Sequence, residues 1–172
     1  MENKLTSADI EVAVANYFKP RVNLIVPNIS WGMNLHECDV LILNSSNYAI
    51  EVEIKISKAD IKADLKKRHG HNSDRIRRLF FAIPETLNTK DVIDLIPERA
   101  GIFAVSNRYP VYQTLPYGDP KKISYWMQPR CKVIRNAQIN KNARPFTDME
   151  RINVGRLGML RYWNIRNTYK QD

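Results

Sequence analysis

Residues 36–55 read HECDVLILNSSNYAIEVEIK, and this stretch decides the fold. From Ile50 to Ile56 apolar and charged residues alternate strictly, the period-2 signature of a strand with one buried face. Glu51, Glu53 and Lys55 therefore project from the same side of it. Upstream, Asp39 heads the apolar run Val40-Leu41-Ile42-Leu43, and Asn44-Ser45-Ser46-Asn47 supplies turn residues between two strands. A three-residue loop Ser45–Asn47, with Asn47 left-handed, pairs Asn44 with Tyr48 and sets Asp39 opposite Glu53. Two carboxylates and a lysine then meet at one point on a sheet.

Downstream, Ser57-Lys58-Ala59-Asp60 has the form of a capping box and predicts a helix beginning at Ser57, with Ile61 and Leu65 as its apolar stripe and Gly70 at its end. Lys58, Lys62 and Lys66, spaced by four, form a positive ridge with Lys67 and Arg68 beside it. Asp60 and Asp64 read either as intrahelical partners of those lysines or as bystanders to phosphate contact. His69-Gly70-His71 opens a polar loop; two histidines without a third ligand at recognisable spacing favour a substrate-touching loop over a zinc site. Leu79–Ile83, closed by Pro84, reads as a strand buried on both faces, Thr89–Ile96 as a short helix, and Ala100–Val105 as a second buried strand parallel to the first.

Upstream, Thr6–Phe18 is helical in pattern, capped by Thr6 or Ser7 and closed by Pro20. It carries Glu11 amid small apolar residues. Asn23–Pro27 reads as a first strand, followed by an irregular stretch containing Trp31 and Gly32. Between Tyr109 and Arg144 five prolines and glycines break the pattern into short β-like pieces, Val111–Leu115 and Lys132–Ile134. Thr147-Asp148-Met149-Glu150 is a second capping box; Met149, Ile152, Met159, Leu160 and Trp163 recur at helical intervals after it. The order of elements predicts an α/β domain, a mixed central sheet flanked by helices.

With 172 residues and 44% hydrophobic content the chain fits one domain with a real core. No apolar run approaches the ~20 residues of a membrane helix. The N-terminus lacks a secretory pattern, and Cys38 and Cys131 are too few for a disulfide framework, so a reducing cytoplasm is expected. The net charge of +9 is unevenly spread: residues 1–56 hold four basic and seven acidic residues, a net of −3, against +12 in the remainder. No acid falls between Pro120 and Thr147, where Lys121, Lys122, Arg130, Lys132, Arg135, Lys141 and Arg144 interleave with Tyr125 and Trp126. An acidic cluster inside a basic protein is the arrangement expected of a metal site working on phosphates.

Asp39 followed fourteen residues later by Glu53-Ile54-Lys55, in strand-turn-strand-helix context, resembles the PD-(D/E)XK nuclease superfamily. The further run from Ile50 into the Ser57-capped helix with Ala59-Asp60 and Ala63-Asp64, then Phe80-Phe81-Ala82-Ile83-Pro84, is similar to its MmcB-type branch, assigned to DNA repair. The likeness covers about residues 35–105, with a basic C-terminal segment and helix at 120–166, in a single domain of 1–172. It implies a restriction-endonuclease-like fold in which Asp39, Glu53 and the Ile54 backbone carbonyl hold Mg²⁺ or Mn²⁺. Lys55 would position or help deprotonate the attacking water, and Glu11 would complete the metal shell. Cys38 stands where the superfamily has its proline, and Glu51 is an additional carboxylate that binds a second ion, pairs with a lysine or simply lies farther from the site. Hard oxygen donors suit Mg²⁺, which commonly takes one or two carboxylates plus waters and substrate oxygens.

The expected function is a Mg²⁺-dependent deoxyribonuclease of repair, recombination or phage DNA processing. Its DNA contacts would be Lys58, Lys62, Lys66, Lys67, Arg68, His69, His71, Lys121, Lys122 and Arg130. The competing readings are a DNA-binding or recruiting module with little or no cleavage on the same scaffold, and an RNA-directed nuclease. A homodimer or a repair-protein partner is left open.

Overall fold

The computed structural model describes residues 4–29, 35–66, 71, 73–114 and 123–168, with the backbone alone at 108–114 and 123–127. In chain order the elements are α1 (Ser7–Tyr17), β1 (Leu24–Ile29), β2 (Cys38–Leu43), β3 (Ala49–Ile54), α2 (Lys58–Asp64), β4 (Ile76–Pro84), a 3₁₀ turn (Glu85–Leu87), α3 (Lys90–Ile93), β5 (Gly101–Thr114), β6 (Ile123–Arg135) and α4 (Asp148–Thr168). The six strands form one mixed sheet in sequential order, β1 to β6. β1, β2 and β3 run antiparallel as a meander, β3–β4 and β4–β5 are parallel crossovers through α2 and α3, and β6 returns antiparallel to β5.

The expected hairpin register holds. Val40 pairs with Val52 and Leu43 with Ala49, the Asn44 N–H donates to the Tyr48 carbonyl at 3.1 Å, and Asn47 takes φ 59°. The Asn44 side chain accepts from the N–H groups of Ser46 and Tyr48, the local bonding for which Asn is favoured in turns. This loop is also tied to α4: Arg151 donates to the Asn44 carbonyl at 2.8 Å and to the Asn47 side chain at 3.0 Å.

Alternation along the strands builds two different faces. On one, Ile10, Ala13 and Val14 of α1 pack on Val40, Ile42, Val52, Phe80, Ala82, Phe103 and Val105. Phe80 and Phe103 stack there at 4.5 Å between centroids. The other face carries two apolar clusters. Leu41, Leu43 and Ala49 meet Phe146 and Val154, and Leu79, Phe81 and Ile83 meet Ile61 of α2 and Val92 of α3. Glu51, Glu53 and Lys55 occupy the strand between them.

Several boundaries differ from the sequence reading. β1 runs through Pro27 to Ile29, which an edge strand tolerates because a missing N–H on its open side breaks no ladder. α2 ends at Asp64, with Leu65 as C-cap and 46% exposed, so the stripe reduces to Ile61. In place of short pieces, β5 and β6 are long paired strands. Only Gly101–Val105 of β5 also pairs with β4, so from Tyr109 to Thr114 it is one half of a two-stranded ribbon with β6. The Met149, Ile152, Met159, Leu160 and Trp163 side chains of α4 are all more than half exposed, and Val154 is the buried residue of that helix. The helix reaches the sheet edge through Gly158, which lies against Val26, a contact a stripe of large side chains would prevent. No helix among the described residues is long and apolar enough to cross a membrane.

Candidate active site

β2 and β3 remain paired only as far as Val40 and Val52, and β1 is irregular at the same level. Pro27 pairs with Val40 and Ile29 with Cys38, while Asn28 between them takes φ 49°. Asp39 lies at this opening, opposite Glu53. Beyond the ladder its Oδ2 accepts the Ile54 N–H at 2.7 Å, supplying the partner that a strand-end amide needs. On the far side the Lys55 N–H donates to the Ala82 carbonyl at 3.0 Å, so the ladder to β4 uses Lys55 and turns the peptide groups of Ile54 toward Asp39.

Glu51 and Glu53 are fully buried and Lys55 is 7% exposed. The Lys55 ammonium lies 2.6 Å from Glu53 Oε2, 2.9 Å from Asp64 Oδ1 and 3.7 Å from Asp39 Oδ2. Asp64 comes from the last turn of α2, which Ser57 starts by accepting the Asp60 N–H. From the segment after α2, His71 places Nε2 at 2.6 Å from Asp64 Oδ2 and Nδ1 at 2.7 Å from Glu51 Oε1. His36, preceding β2, places its Nε2 at 2.7 Å from the same Glu51 oxygen. The polar groups form one chain: His36, Glu51, His71, Asp64, Lys55, then Glu53 and Asp39.

Four carboxylates share this network with one lysine and two imidazoles, and burial makes each charge depend on its neighbours. Burial, and then the charge of Asp39, push the Glu53 carboxyl up, with Lys55 opposing. Burial also pushes Glu51 up, but hydrogen bonds with His36 and His71 prevail and hold it below the usual range. At Lys55 burial favours loss of the proton, but Glu53, Asp64 and Asp39 outweigh it and raise its pKa, so the ammonium is retained at neutral pH. His71 is likewise opposed by burial yet pushed up to about 9 by Asp64 and Glu51. Glu11 is pushed up by burial and then by the charge of Asp39, with Arg161 opposing.

The structure thus gathers Asp39, Glu53, Lys55 and the Ile54 backbone; Glu11, on α1, lines a cleft with Pro27, Asn28 and Arg161. Glu51 turns to two histidines rather than to a lysine. His71 is 3% exposed inside the cluster, which corrects its reading as a DNA contact: its ring is enclosed by two carboxylates and Phe81. Asp64 is buried too, not a solvated partner of the lysine ridge. Lys58 pairs with Asp91, Lys62 and Lys66 are exposed, and Arg130 is exposed on β6. Lys67, Arg68, His69, Lys121 and Lys122 lie outside the described residues, as do the side chains of Tyr125 and Trp126. The sequence reading missed His36 and Asp64 as members of the cluster. Their places in the sequence, His36 three residues before Asp39 and Asp64 seven after the Ser57 cap, carry no signal of that membership. It also passed over Arg77, Arg78 and Arg99, which line a cleft with Ser73, Gln138 and Asn140.

No protein-family model matches the chain, and no curated protein matches it. Among solved structures it is similar to SPO1766, a protein of unknown function from Silicibacter pomeroyi, with a TM-score of 0.56 and 17% identity, over 100% of this chain and 93% of that one. That likeness concerns the fold. The α/β architecture, a six-stranded mixed sheet between helices, is compatible with a restriction-endonuclease-like fold.

Proposed function

We propose that the chain is a divalent-metal-dependent DNA nuclease of the PD-(D/E)XK superfamily, with Asp39, Glu53 and Lys55 at its centre. The observation that carries the reading is their convergence at the opening of the β2–β3 hairpin, with Lys55 2.6 Å from Glu53 and 3.7 Å from Asp39. The donor set fits Mg²⁺ or Mn²⁺: hard carboxylate oxygens from two strands and the Ile54 carbonyl turned to the same side, with Glu11 of α1 as the further carboxylate the superfamily resemblance assigns to the ion. Such an ion, when bound, makes a water more acidic and neutralises charge on the phosphate.

The chain's own groups divide the remaining work. Asp39 is the open member, its side chain 35% exposed, and is where solvent and a phosphate approach. Lys55 keeps its proton, so it orients the water and stabilises developing negative charge rather than acting as base. Asp64 holds the ammonium in place. Exposed Lys62, Lys66 and Arg130 supply sequence-independent attraction for the backbone.

A second reading, a DNA-binding or recruiting module with little cleavage, is favoured by one observation: the Glu53 and Lys55 side chains are only 1% and 8% exposed. Incubating the protein with Mg²⁺ and single-stranded, duplex, flap and junction DNA separates the two. Cleavage by wild type that is lost in Lys55→Ala with DNA binding retained supports the enzyme; binding without cleavage of any substrate supports the module.

A further inference from the structure

His36, Glu51 and His71 form a second set of ligand-type groups that shares no member with Asp39 and Glu53. Glu51 Oε1 lies 2.7 Å from His36 Nε2 and 2.7 Å from His71 Nδ1, and one ligand atom from each of the three residues lies within 4.8 Å of the others. The other nitrogen of His71, Nε2, is 2.6 Å from Asp64 Oδ2. A neutral imidazole carries one N–H. The protonated ring donates one N–H to Asp64 and the other to Glu51; when a cation displaces the Nδ1 proton, Nε2–H stays on Asp64 and Nδ1 and Glu51 Oε1 become two of the ion's ligands. A carboxylate on the far nitrogen is also the partner that orients metal-ligating histidines.

Two further observations point to a ligand at this place. Glu51 is fully buried, and its second oxygen, Oε2, has no hydrogen-bond partner among the described residues. A buried carboxylate oxygen without a donor is costly, and metal coordination is one of the ways such a charge is satisfied. His71 is held at φ 56°, a left-handed conformation that non-glycine residues adopt at a cost and that here aims the ring between Glu51 and Asp64.

We propose that His36, Glu51 and His71 bind one borderline divalent cation of the Zn²⁺ type, in preference to Mg²⁺. Two imidazoles and one carboxylate are the donor mixture such ions prefer. Three protein ligands leave a fourth position open. Tetrahedral Zn²⁺ with bonds of about 2.0–2.1 Å needs ligand atoms about 3.3 Å apart, so the 2.7 Å contacts open by a few tenths of an ångström on loading. The ion joins the segment before β2, strand β3 and the segment after α2. Through Asp64 it steadies the Lys55 ammonium. The site stands independently of the nuclease reading.

The test uses the full chain stripped with EDTA and titrated with Co²⁺, then with Zn²⁺, followed by visible absorption. Wild type is expected to take up one Co²⁺ per chain with d–d bands of low-coordinate geometry, displaced by stoichiometric Zn²⁺ and not by excess Mg²⁺. His36 sits at the rim, 11% exposed, so His36→Gln is expected to keep the circular dichroism of wild type while weakening Co²⁺ uptake at least 10–100-fold. Asp39→Asn, which removes a ligand of the proposed nuclease centre, is expected to leave the bands intact. Absence of Co²⁺ and Zn²⁺ uptake by wild type overturns the site. So does folded His36→Gln binding as tightly as wild type, or loss of the bands in Asp39→Asn. Should His36→Gln fail to fold, persistence of the bands in Asp39→Asn together with their displacement by Zn²⁺ alone supports the site, and their absence overturns it.

Discussion

Lys55 is a cation enclosed by carboxylates, and its two roles, structural and chemical, have separable consequences. Removing it leaves Glu53 and Asp64 buried without their counter-charge, a change that costs about 3–5 kcal/mol in comparable buried pairs. Lys55→Ala is therefore expected to lower the urea midpoint markedly. On the proposed function it also lowers Mg²⁺-dependent cleavage on the order of 10²–10⁴-fold, measured below the unfolding transition. Asp39, Glu53 and Lys55 were legible in the sequence because strand alternation and a three-residue turn fix which side chains share a face. His36, Asp64 and His71 were not. Nothing in local spacing states that a helix ending at Asp64 turns that carboxylate inward, or that His71 adopts a backbone conformation pointing its ring between two acids.

At the scale of elements, close packing and capping decide what the chain tolerates. A Cβ on Gly101 would stand 2.3 Å from the Phe80 ring and 2.7 Å from the Ala137 amide, where β5 starts against β4. Gly101→Ala is expected to cost about 1–3 kcal/mol in denaturant unfolding, the usual range for overpacking. α4 starts with a reciprocal cap, Thr147 N–H to Glu150 at 2.7 Å and Glu150 N–H to Thr147 at 3.2 Å, and Glu150 also pairs with the buried Arg75. The Thr147 backbone and then Arg75 hold the Glu150 carboxyl below its usual range. A depressed carboxyl contributes stability above its unfolded pKa of about 4.3 that is lost as pH falls through the lower folded value. Glu150→Gln is therefore expected to melt below wild type at pH 7 and to converge with it near pH 3 in calorimetry. The Thr147 box was readable from sequence; for α1 the sequence left the cap between Thr6 and Ser7, and the structure gives it to Thr6, in a reciprocal pair with Asp9. The side of α4 that meets the sheet was not readable, because its apolar stripe is the exposed one and the contact runs through Val154, Gly158 and Arg151.

For the whole molecule, the mixed sheet between helices and the parallel β4–β5 pair followed from the alternation of strands and helices, whereas the strand order was not read and the length of the β5–β6 ribbon was hidden by prolines that paired strands nonetheless accommodate. On the proposed function the charge asymmetry sets the binding behaviour: affinity for duplex DNA should fall steeply with salt. Lys62→Glu with Lys66→Glu should weaken it for all sequences and reduce the slope of log K against log salt by about 0.9 per lost phosphate contact, as read by fluorescence anisotropy. The central claim is that Asp39 and Glu53 share an ion beside Lys55. The direct measurement is an anomalous difference map from a crystal soaked in Mn²⁺. The account predicts a peak between the Asp39 and Glu53 carboxylates, within bonding distance of the Ile54 carbonyl and next to the Lys55 ammonium. No peak there, with those carboxylates pointing apart or Mn²⁺ held only elsewhere, would contradict it.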